Sequence, residues 1–135
     1  MAHQVFTDAR VEINAVVLSD HVRSVTLDYS AELQDDTSMG DTTRERKGGL
    51  KDWSIEVDFF QDYAASEIDA TLFGLVGSTF TVEVRPTSAA RSATNPGFSG
   101  TGILESYQPV GGEIGTMQMA PITIQAAGAL SRLTA

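Results

Sequence analysis

Two alternating segments separated by a long polar loop constrain this chain more than any other feature. The first, HVRSVTLDYSAEL from residue 21, sets Val25, Leu27, Tyr29, Ala31 and Leu33 against Ser24, Thr26, Asp28, Ser30 and Glu32. The second, WSIEVDF, sets Trp53, Ile55, Val57 and Phe59 against Ser54, Glu56 and Asp58. A period of two is the signature of a strand with one buried face and one wet face. Between them lie fifteen residues, DDTSMGDTTRERKGG at 35–49, without apolar period and ending in Gly48 and Gly49. Loops beyond about 12–15 residues are uncommon in compact domains and usually serve a function. The pattern is that of an assembling β protein. Val25, Leu27, Tyr29, Leu33, Trp53, Ile55, Val57 and Phe59 are its first core positions.

Shorter runs extend the same reading. ARVEINAVVL at 9–18 predicts one strand, and STFTVEVR at 78–85 predicts another, with Phe80 and Val82 in the core and Pro86 as its stop. GTGILESYQP at 100–109 and IGTMQMAPITIQA at 114–126 supply the last strand material, where Pro121 marks an edge or a bulge. GFSGTG at 97–102 is glycine-rich but follows Pro96, leads into a strand and lacks a lysine, so it reads as a turn. One short helix is expected over 66–76, with Ser66 as N-cap, Ile68, Leu72 and Leu75 on one face, and Gly77 beyond its end. The tail 127–135 is weakly patterned, free to dock on a neighbour or to stay loose. Six or seven strands and one helix in 135 residues make a single all-β domain over 1–135. Its expected architecture is an antiparallel β-sandwich or partly closed barrel with one short flanking helix and a long loop between two long strands.

Composition removes several classes of function. There is no cysteine, which excludes disulfides, thiol chemistry and cysteine-ligated metals. The formal net charge is −9, which argues against a conventional nucleic-acid binder. The charge is uneven: between Asp28 and Asp69 there are twelve acidic residues against four basic ones, and from Ala70 onward three against three. No apolar run is long enough to cross a bilayer, and MAHQVFTDAR lacks the pattern of a secretion signal. No membrane anchor is expected.

Candidate chemistry is sparse. His3 and His21 are the two histidines, and their spacing asks for no metal site. Asp35, Asp36 and Asp41 surround Gly40 without the ligand spacing of a calcium loop. Glu56 and Asp58 share a strand face, as the acids of any alternating strand do. Trp53, Phe59, Phe80 and Phe98 lack the basic interleaving of a base-stacking platform. No catalytic residue, cofactor or metal is expected.

In order and spacing, these features resemble the tail tube proteins (major tail proteins) of long-tailed phages and related phage-like particles. The resemblance rests on the strand 22–34, the charged loop 35–49, GLKDWSIEVDF at 49–59 and DATLFGLVG at 69–77. It continues through FTVEVR at 80–85 and NPGFSGTGILESY at 95–107, and covers roughly residues 10 to 126. It implies a virion tail component assembled in the host cytoplasm. Rings of six subunits stack into a tube, in company with a tape-measure protein and other tail proteins, and genomic DNA passes through without specific binding. Inner strands would join edge to edge around the ring, and the loop would reach the adjacent ring. The implied lumen-facing candidates are Asp28, Ser30, Glu32, Glu56 and Asp58. Asp35, Asp36, Asp41, Arg44, Glu45, Arg46 and Lys47 are the inter-ring candidates, with Arg44, Arg46 and Lys47 expected to form ion pairs with a stacked ring.

Two other readings stay open on the sequence. One is a tail terminator or baseplate ring protein of similar fold, which would form rings without indefinite stacking. The other is a monomeric β-sandwich binding module for carbohydrate or protein, with Tyr29, Tyr63 or Tyr107 as stacking residues.

Overall fold

The elements follow in chain order as β1 (Arg10–Ile13), β2 (Val16–Val17), β3 (Val22–Asp35), β4 (Arg46–Phe60), α1 (Ile68–Leu72), β5 (Thr79–Arg85), β6 (Gly97–Tyr107) and β7 (Met119–Leu133). In this computed structural model, which describes residues 9–65 and 67–134, the seven strands form one sheet in the order β2-β1-β5-β6-β7-β4-β3. Every pairing is antiparallel. The all-β fold with one short helix agrees with the alternation in the sequence. The sheet is open, with the two-residue β2 at one edge and the fourteen-residue β3 at the other.

The sheet curls on itself. In a flat sheet β3 and β5 would stand about 19 Å apart, four strand spacings. Yet Val25, Leu27 and Tyr29 of β3 and Val84 and Arg85 of β5 line one cleft of about 340 Å³. Inside the curl lie Val11, Ile13, Trp53, Ile55, Val57, Phe59, Phe80, Val82, Leu104, Ile122 and Ile124, all buried. Each full burial of such a side chain contributes about 1.5–3 kcal/mol before the entropy of ordering the chain. Ile68 and Leu72 seat α1 on the same core.

Several boundaries differ from expectation, each for a local reason. The strand expected over 9–18 is two short strands. Asn14 and Ala15 adopt positive φ (51° and 66°) and form a tight two-residue turn. Val17 consequently ends 48% exposed. The helix is shorter than 66–76, because α1 tightens into a 3₁₀ turn over Phe73–Leu75. The expected cap, Ser66, lies outside the described residues. Gly97 to Gly102 are not a turn but the first half of β6. A Cβ on Gly100 would sit 2.9 Å from both the Ala129 carbonyl and the Trp53 ring, and one on Gly102 would sit 2.5 Å from Ile124 Cγ2. The glycines therefore make room for the indole and for β7.

The last strand starts at Met119 rather than 114, since Glu113 and Thr116 close a hydrogen-bonded turn first. Pro121 pairs with Asp58 of β4 but lies beyond Ile122, where pairing with β6 ends. The strand is locally an edge there, a position that tolerates proline. Residues 127–133, which the sequence leaves as a weakly patterned tail, complete β7 against Gly97–Gly100 of β6.

Candidate assembly surface

The loop expected over 35–49 is shorter than that, because Asp35 and residues 46–49 are strand. Backbone pairing of β3 with β4 runs on to Asp35–Arg46, with an irregularity between Ala31 and Leu33 where the Glu32 carbonyl lies against Gly49. Only 36–45 connect the two strands. β4 pairs with β7 only over Ser54–Phe60, so beyond that point β3 and β4 stand as a bare two-stranded ribbon. Seven residues of β3, from Tyr29 to Asp35, give the ribbon a reach of roughly 23 Å.

The apolar alternation of β3 continues onto this ribbon after the core has ended. Val25 and Leu27 pack partly against the core. Tyr29 is 54% exposed and Leu33 is 62% exposed. These two therefore lie outside the core assigned to them from the sequence. Tyr29 stands opposite Trp53 at the ribbon's root, whereas Leu33 faces Gly48, which offers no side chain to pack on. Leu50 and Met39 are exposed as well. The outer side of β3 carries no strand among the described residues, which leaves a long row of backbone donors and acceptors open.

The opposite face is polar and acidic. Ser24 stands across from Asp58, Thr26 from Glu56, Asp28 from Ser54 and Ser30 from Asp52. Asp28, Ser30, Glu56 and Asp58 thus share one face, and Glu32 follows them at the irregularity, bonded by Gln34 Nε2 at 3.1 Å. Ser24 donates to Asp58 at 3.3 Å. Among the described residues no salt bridge reaches these carboxylates. Asp52 belongs to the same face; extending the alternation of WSIEVDF back by one residue finds it. Thr123 and Gln125 of β7 widen the face, and Gln125 donates to Glu105 at 2.8 Å.

The inter-ring candidates form the ribbon's tip, and many of them are bonded to one another. Arg44 Nη1 donates to Asp35 Oδ2 at 2.7 Å, and Lys47 Nζ lies 3.4 Å from Asp36 Oδ2. The Thr37 amide donates to Asp35 Oδ1, the Ser38 amide to Asp41 Oδ2, and the Asp36 amide to the Glu45 carbonyl. Bonds from Thr37, chiefly its hydroxyl and then its amide, with Arg44 behind them, hold the Asp35 carboxyl below its ordinary value of 3.8. Arg44 and Lys47 are thus engaged inside the hairpin, not free cations awaiting a partner. Exposed pairs of this kind are weak, so they exchange readily for a better partner.

A second polar group sits at the other end of β4, away from the ribbon. Tyr107 donates to Asp69 of α1 at 2.9 Å and accepts from Gln61, which also donates to the Pro109 carbonyl. Burial, opposed by Gln61 and reinforced by Asp69, pushes the Tyr107 phenol up to about 12. Beside it, His21 meets Asp62 and Glu67, a cluster that sequence spacing could not reveal because His21 is 46 residues from Glu67 along the chain.

No family model and no curated protein matches the chain. Solved structures do. The tail of an empty gene transfer agent particle, refined with helical and C6 symmetry, aligns with TM-score 0.78 at 20% identity, over 98% of this chain and all of that one. The SPP1 tail tube aligns with TM-score 0.72 at 10% identity, over 95% of this chain and 77% of that one. The baseplate of the anti-feeding prophage, symmetrised sixfold, aligns with TM-score 0.60 at 10% identity over 98% and 97%. At such identities the likeness is one of fold, and the chain has the fold common to these tail, tail-tube and baseplate subunits.

Proposed function

We propose that this chain is the repeating subunit of a phage-type tail tube, built from rings of six that stack through the β3–β4 ribbon. The observation that carries the reading is the ribbon itself: a long open strand edge and bare Tyr29, Leu33 and Leu50 on an arm beyond the core. Such a surface is an aggregation hazard in a monomer and loses its open edge when copies close into a ring. The likeness in fold to a C6-symmetric tail and to a tail tube supports the same conclusion. On this reading Asp28, Ser30, Glu32, Glu56 and Asp58 line the channel, where carboxylates repel phosphate and let DNA slide. The ribbon tip then meets the next ring, and a tape-measure protein and other tail proteins are the remaining partners.

The likeness to a prophage baseplate favours one second reading, a ring that does not stack indefinitely. Negative-stain electron microscopy across protein concentration, paired with light-scattering mass, separates the two. Hollow tubes with sixfold end views support the tube subunit. Discrete rings that never lengthen assign the chain to a terminator or baseplate. A strict monomer at all concentrations, with tail proteins supplied as initiator, rules both out.

A further inference from the structure

His21, Asp62 and Glu67 turn ligand atoms toward a common point. His21 Nε2 lies 2.5 Å from Glu67 Oε2 and 3.8 Å from Asp62 Oδ2, and all three ligand atoms lie within 4.8 Å of one another. A single imidazole nitrogen carries one proton, so it can bond one of these carboxylates and not both. A cation between them would satisfy all three groups at once. One of the two carboxylates is also held in place. Asp62 Oδ1 accepts the Ala64 amide at 2.9 Å, leaving Oδ2 to face the histidine, while the Glu67 amide is bonded to the Ala64 carbonyl. Fixing a carboxylate through its other oxygen is what outer partners do in metal sites.

We propose that His21, Asp62 and Glu67 form a binding site for one divalent transition metal of the zinc class. One nitrogen and two carboxylate oxygens are the donor set such metals favour, whereas calcium takes six to eight oxygens. Metal–ligand bonds of about 2.0–2.2 Å put tetrahedral neighbours about 3.4 Å apart, within roughly an ångström of the two distances to Nε2. The side chains are 21% (His21), 36% (Asp62) and 37% (Glu67) exposed, which admits the ion and leaves room for water as a further ligand. His21 precedes β3, Asp62 follows β4 and Glu67 is the N-cap of α1. The metal would therefore clip a helix of five residues, too short to be stable alone, onto the core end of the β3–β4 pair.

The test is zinc titration of the full chain against a chromophoric chelator at neutral pH, with cobalt(II) absorption as a second probe. One equivalent should bind, and His21→Gln, Asp62→Asn and Glu67→Gln should each weaken binding at least about tenfold. His3→Gln should leave it unchanged, which separates the cluster from the other histidine. Zinc should raise the melting temperature of the parent and of His3→Gln, but not of His21→Gln. In the unmutated chain, zinc should move the ring nitrogen resonances of His21, a readout independent of any variant's folding. Binding that survives Glu67→Gln and Asp62→Asn, or a His21 ring that does not respond to zinc, overturns the site.

Discussion

At the residue scale, two glycines of β6 set the packing of the one tryptophan. Gly100 and Gly102 have no space for a Cβ, the nearest atoms being the Ala129 carbonyl, the Trp53 ring and Ile124 Cγ2. Gly100→Ala or Gly102→Ala should therefore lower stability by about 1–3 kcal/mol, read as a reduced midpoint in urea unfolding. Gly48→Ala, on the ribbon with nothing within 4 Å, should stay within about 0.5 kcal/mol of the parent. Equal effects at Gly48 and Gly102 would contradict the packing described. Asp35 offers a different check. Its carboxyl is held below 3.8, so its contribution to the tip is complete above that pH and fades as pH falls through the lowered value. Carboxyl resonances followed by NMR should show Asp35 titrating below 3.8, and Thr37→Val should bring it back up. Neither feature announces itself in the sequence. Gly100 and Gly102 look like turn residues until the indole that occupies their missing side chains is in view.

At the element scale, alternation located β4 and β5 because their buried faces leave a hydrophobic record every second residue. It also located the root of β3, at Val25 and Leu27. It failed at the outer ribbon for the converse reason. Arg46 to Lys51 are exposed and bury nothing, so no apolar periodicity marks them as strand. The second half of β7 escaped likewise, its residues 127–132 being mostly exposed. The His21, Asp62 and Glu67 cluster was beyond sequence reasoning, since chain separation says nothing of how β3, β4 and α1 converge. The ribbon's independence from the core gives a direct prediction. Replacing 36–45 by an Asn-Gly turn should shift the melting temperature by only a few degrees, because no core side chain is touched. The same variant should form no tubes in electron micrographs. Tubes of normal length would show that the tip is not the stacking element.

For the whole molecule, the proposed assembly makes charge act on two steps with opposite sign. On the proposed assembly, nine net negative charges per subunit would repel across a ring, while Arg44 and Lys47, on exchanging their hairpin partners, would attract acidic groups on the next ring. Raising salt from 0.1 to 1 M shortens the screening length from about 10 to about 3 Å and weakens both. Ring closure should then persist while stacking declines, so light scattering and micrographs should show tubes giving way to rings. Tube length unaffected by salt would remove ion pairs from the stacking contact. The fork where β4 leaves β7 is spanned by Trp53, whose Nε1 donates to the Gly128 carbonyl at 2.8 Å. That indole is the only one in the chain. Its ultraviolet emission therefore comes from a single point, the joint between arm and body, and shifts to longer wavelength if water enters the fork. The chain thus carries a built-in optical gauge of that joint, readable in any assembly experiment without an added label.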